Sequence, residues 1–194
     1  MITTTLNKIR EHQPCTDGWK KLLSHLGKSE ADDEPLPFAV ILKSNGLDDA
    51  LWCCRAAPQY HKEWRLYAVW CARQVQHLMK DQRSIDALDV AERFAHGFAT
   101  DEELSAAAVA ARAASRAARA ARAAWGSAGD AADAAAVAAR AAVRAARAAW
   151  GSAGDAAESA ARAAWDAADA AEAAWAASRA TQTEEFLRIV GEAK

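Results

Sequence analysis

The chain has 194 residues, of which 52% are hydrophobic, with only four prolines, nine glycines and a formal net charge of −2 at neutral pH. That length suits one ordinary domain, or one domain with an extended element, and the low proline and glycine content argues against a disordered chain. A charge so close to zero argues against nucleic-acid or membrane-surface binding by the chain as a whole.

The N-terminal segment MITTTLNKIREH lacks the apolar stretch of a secretory signal. Charges interrupt the alanine-rich tract at every third or fourth residue, so no apolar run is long enough for a membrane span. We therefore expect a cytoplasmic protein without membrane association. In that compartment the cysteines are expected to be reduced and to act as small apolar residues: Cys15, Cys53, Cys54 and Cys71.

Residues 1–99 carry the bulky apolar side chains of a packed core. Apolar spacing and terminal signals predict short helices over residues 3–11, 17–26, 37–45, from 48 or 49 to 57, 62–79, and from 84 to about 96, with an acidic loop at 29–35. Gly27 and the pair Asn45-Gly46 are the expected stop signals. Since no alternating strand pattern or hairpin signal occurs, we expect an all-α protein.

The stretch GFATDEEL marks the boundary of this region. Gly97 suits the position after a helix, and Thr100 and Glu103 have the spacing of a capping box. We therefore divide the chain into an N-terminal helical bundle, residues 1–99, and an alanine-rich region, residues 100–194. The second region ends in the apolar coda EEFLRIV.

The alanine-rich region contains a repeat of 25 residues, because RAARAAWGSAGDAA occurs at 119–132 and again at 144–157. The Gly-Ser-Ala-Gly segments at 126–129 and 151–154 have the composition of turns. We predict about three long antiparallel helices, over residues 100–125, 128–150 and 153–180. The competing interpretation is one continuous rod of about 110 Å. The two equally spaced breaks favour the folded bundle.

The stretch EWRLYAVWCAR concentrates residue types that anchor protein interfaces. The candidate contact residues are Trp64, Arg65, Trp70 and Arg73. The alternative is that Trp64 and Tyr67 belong to the core while the two arginines are solvated.

A stripe of arginines along the first alanine-rich helix has the spacing of an anion-binding face: Arg112, Arg116, Arg119 and Arg122. The alternative, a solvated face, is favoured by the acidic third helix and by the absence of net positive charge. The cysteines and histidines match no zinc spacing, and no nucleophile or hydrolase motif occurs. We expect no metal, no cofactor and no enzymatic activity.

Three motifs, DEPLPFAVILKSNGLDDALWCCRA, EWRLYAVWCARQV and IDALDVAERFAHGFATDEEL, are followed by a tail rich in Ala, Arg and Trp. Together they resemble bacterial and prophage immunity proteins of an "immunity protein five-like" group. The resemblance covers residues 32–108 by motif and the tail by composition alone. It implies a small cytoplasmic all-helical protein that neutralises a toxin by binding it, and it supplies no catalytic residue.

The leading hypothesis is a non-enzymatic binding protein that neutralises a protein target, either a toxin or a bacterial defence component. A second hypothesis is a phage counter-defence protein that sequesters a small anion such as a signalling nucleotide. A third is a structural oligomerisation scaffold. Exposed alanine faces would form a large apolar patch, so a homo-oligomer is a further expectation.

Overall fold

The computed structural model describes residues 1–74, 76–125 and 175–192, without the side chains at 78, 115, 117–125, 175–178 and 192. Helix accounts for 76% of the described residues, so the chain is mostly helical, as expected. The helices are α1 (Leu6–Glu11), α2 (Thr16–Leu26), α3 (Phe38–Asn45), α4 (Leu47–Cys53), α5 (His61–Gln74), α6 (Gln82–Ala95), α7 (Asp101–Trp125) and α8 (Trp175–Glu192). The predicted helix at 128–150, most of the one at 153–180 and both Gly-Ser-Ala-Gly turns lie outside the described residues.

The first residues form a short strand, although the sequence predicted a helix from residue 3 and no strands. Strand β1 (Thr3–Thr4) pairs antiparallel with β2 (Leu36–Pro37), with Thr3 opposite Pro37 and Thr4 opposite Leu36. The β-branched threonines favour extended backbone. Helix α1 begins only after Thr5, whose hydroxyl accepts a hydrogen bond from the Lys8 backbone N–H at 3.2 Å.

The predicted glycine stop signals and the predicted capping box are confirmed. Gly27 ends α2 in the left-handed conformation, with φ 65°, and Gly97 follows α6 with φ 79°. The capping box at the start of α7 is present in both directions. The Thr100 N–H donates to Glu103 Oε2 at 2.8 Å, and the Glu103 N–H donates to Thr100 Oγ1 at 3.2 Å.

Helices α4, α5 and α6 have boundaries that differ from the prediction. Helix α4 begins at Leu47, directly after Gly46, and passes at Cys53 into a 3-10 turn. Helix α5 ends at Gln74, after which Gln76–Leu78 form a second tight turn. Helix α6 starts earlier than Ser84 because the Asp81 carboxylate caps it, accepting from the Arg83 N–H at 3.0 Å. Ser84 itself is buried inside the helix.

The core is centred on four aromatic side chains from three helices: Phe38 of α3, Trp64 and Tyr67 of α5, and Phe186 of α8. The rings of Trp64 and Phe186 stack, with centroids 6.1 Å apart and an interplanar angle of 16°. The Tyr67 ring meets Phe186 edge-on at 5.5 Å. All four are fully buried, so this cluster joins α3, α5 and α8 into one hydrophobic core.

The apolar coda EEFLRIV therefore belongs to a helix that continues past residue 180, where the sequence predicted an end. Phe186 and Val190 belong to the same core, which also contains buried residues between Ile2 and Ala91 and Leu104, Ala108 and Ala111 of α7. The two ends of the chain also meet, because the Ile2 N–H donates to the Val190 carbonyl at 2.7 Å. Helix α6 packs against both α5 and α7, which completes the arrangement around α5.

Candidate functional site

Helix α5 divides its aromatic residues between the core and the surface. Trp64 is fully buried, and its indole N–H donates to the Ala57 carbonyl at 3.0 Å. Tyr67 is also fully buried and donates from its hydroxyl to the Gln182 carbonyl at 3.3 Å. Trp64 is thus a core residue rather than a surface contact residue, because both its ring and its N–H are used inside the molecule. Trp70 is half-buried and stacks on Tyr67 at 6.3 Å.

Arg65 lies apart from the other candidate contact residues. Its guanidinium carbon lies 5.1 Å from the centroid of the Phe94 ring on α6, a cation–π arrangement. Burial lowers the pKa of Arg65, while the negative charge of Asp101 at the start of α7 raises it. Arg65 therefore serves the contact between α5 and its neighbours, and it lines none of the space around Trp70.

Trp70 and Arg73 line a groove of about 430 Å³ where α5 meets α6 and α8. The groove combines an apolar floor with five charged side chains. Its lining residues are Glu63, Leu66, Val69, Trp70 and Arg73 of α5, Glu92 of α6, and Glu185, Arg188 and Ile189 of α8. Three carboxylates against two guanidiniums make this lining net negative.

Both groove arginines are engaged by carboxylates. The Arg73 guanidinium pairs with Asp89 at 2.8 Å and with Glu92 at 2.5 Å, and it also donates to Gln76 Oε1 at 2.9 Å. Partial burial lowers the pKa of Arg73, but the hydrogen bonds to the two carboxylates outweigh that effect and raise it. Arg73 is therefore held in place as a permanent cation whose charge is more than balanced by its two carboxylate partners.

Arg188 makes a two-pronged pair with Glu185, one turn earlier on α8. Its Nε donates to one carboxylate oxygen at 2.8 Å and its Nη2 to the other at 2.5 Å. Glu63 differs, because no described cation lies within ion-pair distance of its carboxylate. Glu63 is thus the groove residue with the most available negative charge.

The predicted arginine stripe is only partly described. Arg112 is half-buried, and its Nε is buried without a hydrogen-bond partner in the described set. Arg116 is exposed, with its Nε 3.4 Å from the Arg112 carbonyl. The side chains of Arg119 and Arg122 lie outside the described residues. The open hollow along α7 is lined by two acidic residues, Ser105, Val109 and alanines, and not by these arginines.

Several groove residues were not among the predicted contact residues, above all Glu63, Glu185 and Arg188. Glu63 directly precedes Trp64 and was visible as a charged neighbour of the aromatic cluster. Glu185 and Arg188 lie in the coda, more than a hundred residues beyond α5 in the sequence. Only the packing of α8 on α5 brings them to Trp70.

Comparison of the chain with family models, with curated proteins and with solved structures found no match. The resemblance to immunity proteins therefore stays a prediction. Within the described part of the chain, no helix has both the length and the apolarity that a membrane crossing requires. In the same residues no three His, Cys, Asp or Glu side chains converge into a group that could hold a metal ion.

Proposed function

We propose that the chain is a non-enzymatic binding protein whose partner is another protein, a toxin or a bacterial defence component, and that the groove between α5, α6 and α8 receives the partner. The observation that carries the proposal is the groove itself. It joins a half-buried tryptophan to a rim with an excess of carboxylates. Tryptophan and arginine in a partly desolvated hollow are the residue types on which protein interfaces concentrate their binding energy.

The charge of the groove defines the partner's surface. With Arg73 and Arg188 already paired, the unbalanced charge is that of Glu63. A complementary partner segment therefore presents a lysine or arginine to Glu63 and an apolar side chain to Trp70 and Ile189.

The same charges disfavour sequestration of a small anion in this groove. A phosphate would have to displace carboxylates from both arginines and would lie beside Glu63. Only the stripe that begins at Arg112 stays available for that second hypothesis. Calorimetric titration with nucleotides tests it directly: binding that is lost in Arg112→Ala would replace the proposal with nucleotide sequestration.

The protein proposal is tested by retention of host proteins on immobilised wild-type chain and on matched variants. We expect one partner to be retained by the wild type and by Glu11→Lys, which reverses an exposed charge outside the groove. Glu63→Lys and Trp70→Ala should weaken its binding at least tenfold, because like charges now meet and the apolar floor is lost. Added salt should weaken the wild-type complex.

Retention that is equal for wild type, Glu63→Lys and Glu11→Lys would overturn the proposal, because a partner that uses the groove must sense that reversal. Glu63→Lys carries this test even if Trp70→Ala is poorly folded, since Glu63 is only half-buried and makes no described ion pair.

The antiparallel arrangement predicted for residues 100–180 belongs to the proposal as a platform or self-association surface. The scaffold hypothesis and the expected homo-oligomer both depend on this arrangement. Spin-label distances between the predicted corners and the C-terminus test it. Distances that grow in proportion to the position along the chain would favour the single rod.

A further inference from the structure

A second cavity lies at the junction of α1, α2, α3 and α4 and shares no residue with the groove. Its volume is about 140 Å³. It is lined chiefly by apolar and aromatic side chains: Ile9, Pro14, Cys15, Gly18, Trp19, Leu22, Ile41, Asn45, Asp49, Trp52 and Cys53. An aliphatic protein cavity of about 150 Å³ is known to hold benzene. The volume therefore suits a ligand with one six-membered ring or a branched alkyl group.

Gly18 keeps this space open at the start of α2. A Cβ atom at Gly18 would lie 2.8 Å from Asp49 Oδ2 and 3.1 Å from Cys15 Sγ, so no side chain fits there without displacing them. The same distances place the carboxylate oxygen and the sulfur within about 6 Å of each other. Cys15 is exposed, and it marks the mouth of the cavity.

Among the polar groups at the cavity, the Asn45 amide is already used inside the protein, and Asp49 keeps free acceptor capacity. The Asn45 side-chain NH₂ donates to the Gly18 carbonyl and to Asp49 Oδ2, both at 2.8 Å. The Asn45 amide oxygen already accepts from the Ser44 hydroxyl at 2.6 Å. The Asp49 carboxylate accepts only the one hydrogen bond from Asn45 among the described residues, and no described cation lies within ion-pair distance of it.

Two indoles complete the site. Trp19 and Trp52 both line the cavity and are both half-buried. Arg55 lies against the Trp52 ring, with its guanidinium carbon 4.4 Å from the ring centroid, but it does not line the cavity. Indole rings that line a cavity together with a carboxylate favour an organic cation, through the quadrupole of the rings and the negative charge of the carboxylate.

We infer that this cavity binds a small organic ammonium ion, whose apolar part fills the space between Trp19, Leu22 and Trp52 and whose ammonium group donates to Asp49. The inference is independent of the proposed protein partner, since the groove lies on α5, α6 and α8.

Cys15 supplies the readout. Burial and the negative charge of Asp49 outweigh the opposing positive charge of Arg55 and raise the pKa of the Cys53 thiol to about 12, so Cys53 stays protonated and unreactive at pH 8. Among the four cysteines only Cys15 is exposed. A ligand in the cavity should therefore slow alkylation of Cys15 by iodoacetamide, followed by mass spectrometry on the full chain.

Three probes of similar size and shape differ in charge, so they show whether binding depends on charge: benzylammonium, benzyl alcohol and benzoate. We expect benzylammonium to protect Cys15 at concentrations at least tenfold lower than benzyl alcohol, and benzoate not to protect it. Asp49→Asn should remove the advantage of benzylammonium, and Asp48→Asn should retain it, because Asp48 pairs with Arg179 and does not line the cavity. Gly18→Ala, whose methyl group would lie 2.8 Å from Asp49 Oδ2 and 3.1 Å from Cys15 Sγ and therefore displaces both, should abolish protection by benzylammonium.

Equal protection by benzylammonium and benzyl alcohol would overturn the inference, because Asp49 would then contribute nothing. Absence of protection by any probe, or protection that survives in Gly18→Ala, would overturn it as well. Circular dichroism of each variant confirms that it is folded before its result is counted. Calorimetry with benzylammonium on the wild type gives the affinity without reference to Cys15.

Discussion

Replacing Phe186 by alanine tests whether the C-terminal helix is part of the core. The Phe186 ring is fully buried and lies within 6.2 Å of three other rings, those of Phe38, Trp64 and Tyr67. Truncation removes the apolar transfer energy of the ring and leaves a cavity that these rigid neighbours cannot fill. We therefore expect a loss of about 3–5 kcal/mol in the free energy of unfolding. For a domain of ordinary stability, about 5–15 kcal/mol, that is a large part of the total.

The measurement is urea unfolding of the full chain, followed by circular dichroism and tryptophan fluorescence. Leu187→Ala is the matched control, since Leu187 is the next residue of the same helix and is 41% exposed. It should cost less than about 1 kcal/mol. If Phe186→Ala does not fold, Phe186→Leu should still lose about 1–2 kcal/mol. Losses that are equal at positions 186 and 187 would refute the placement of α8 in the core.

Three further predictions follow from local structure. Thr100→Ala removes the capping box with Glu103 and should cost about 1 kcal/mol by urea unfolding; an unchanged midpoint would contradict that geometry. Gly27→Ala forces a Cβ atom into a left-handed position and should cost about 1 kcal/mol, whereas a gain would mean that the backbone there relaxes. Burial raises the pKa of Cys53 and Cys71 from 9.0 to about 12, so stability should be intact below pH 9 and fall by about 1.4 kcal/mol per cysteine at pH 10; Cys53→Ala should show a smaller fall over that range than the wild type.

Features that depend on a few neighbouring residues could be predicted from the sequence. The ends of α2 and α6 at glycines, and the start of α7 at its capping box, depend on backbone sterics and on hydrogen bonds across three or four residues. The same local logic failed at residues 3–4. There the choice between helix and strand was decided by pairing with Leu36–Pro37, more than thirty residues away.

The packing of the coda against the core could not be predicted from neighbouring residues either, although the helical spacing of its apolar residues is visible in the sequence. Gln182, Phe186 and Val190 are spaced four apart and are all buried, so they form one face of α8. That spacing predicts a helix that buries this face. It cannot say against what the face packs, because the contact is made with α3 and α5, which lie far earlier in the chain.

The candidate contact residues were chosen as a cluster in the sequence, and helix geometry separates them. At 100° per residue, Trp70 lies about 240° around α5 from Trp64, so a helix that buries one of them turns the other away from the core. Trp70 and Arg73 are about 60° apart and remain together in the groove. The helical geometry of α5 alone could thus have shown that Trp70 and Arg73, and not Trp64, share the exposed contact surface.

The net charge of the groove could not be predicted from α5 alone. Helix α5 by itself presents arginines at 65 and 73, which suggests an anionic partner. The carboxylates of α6 change the balance, because Asp89 and Glu92 both pair with Arg73, while on α8 Glu185 pairs with Arg188, the other arginine of the groove lining. Because electrostatic complementarity selects a partner by the summed field of all packed elements, the kind of ligand is decided by tertiary contacts that the sequence does not display. A helix whose own sequence presents two arginines therefore lies, once α6 is packed against it, along a groove suited to a cationic partner segment.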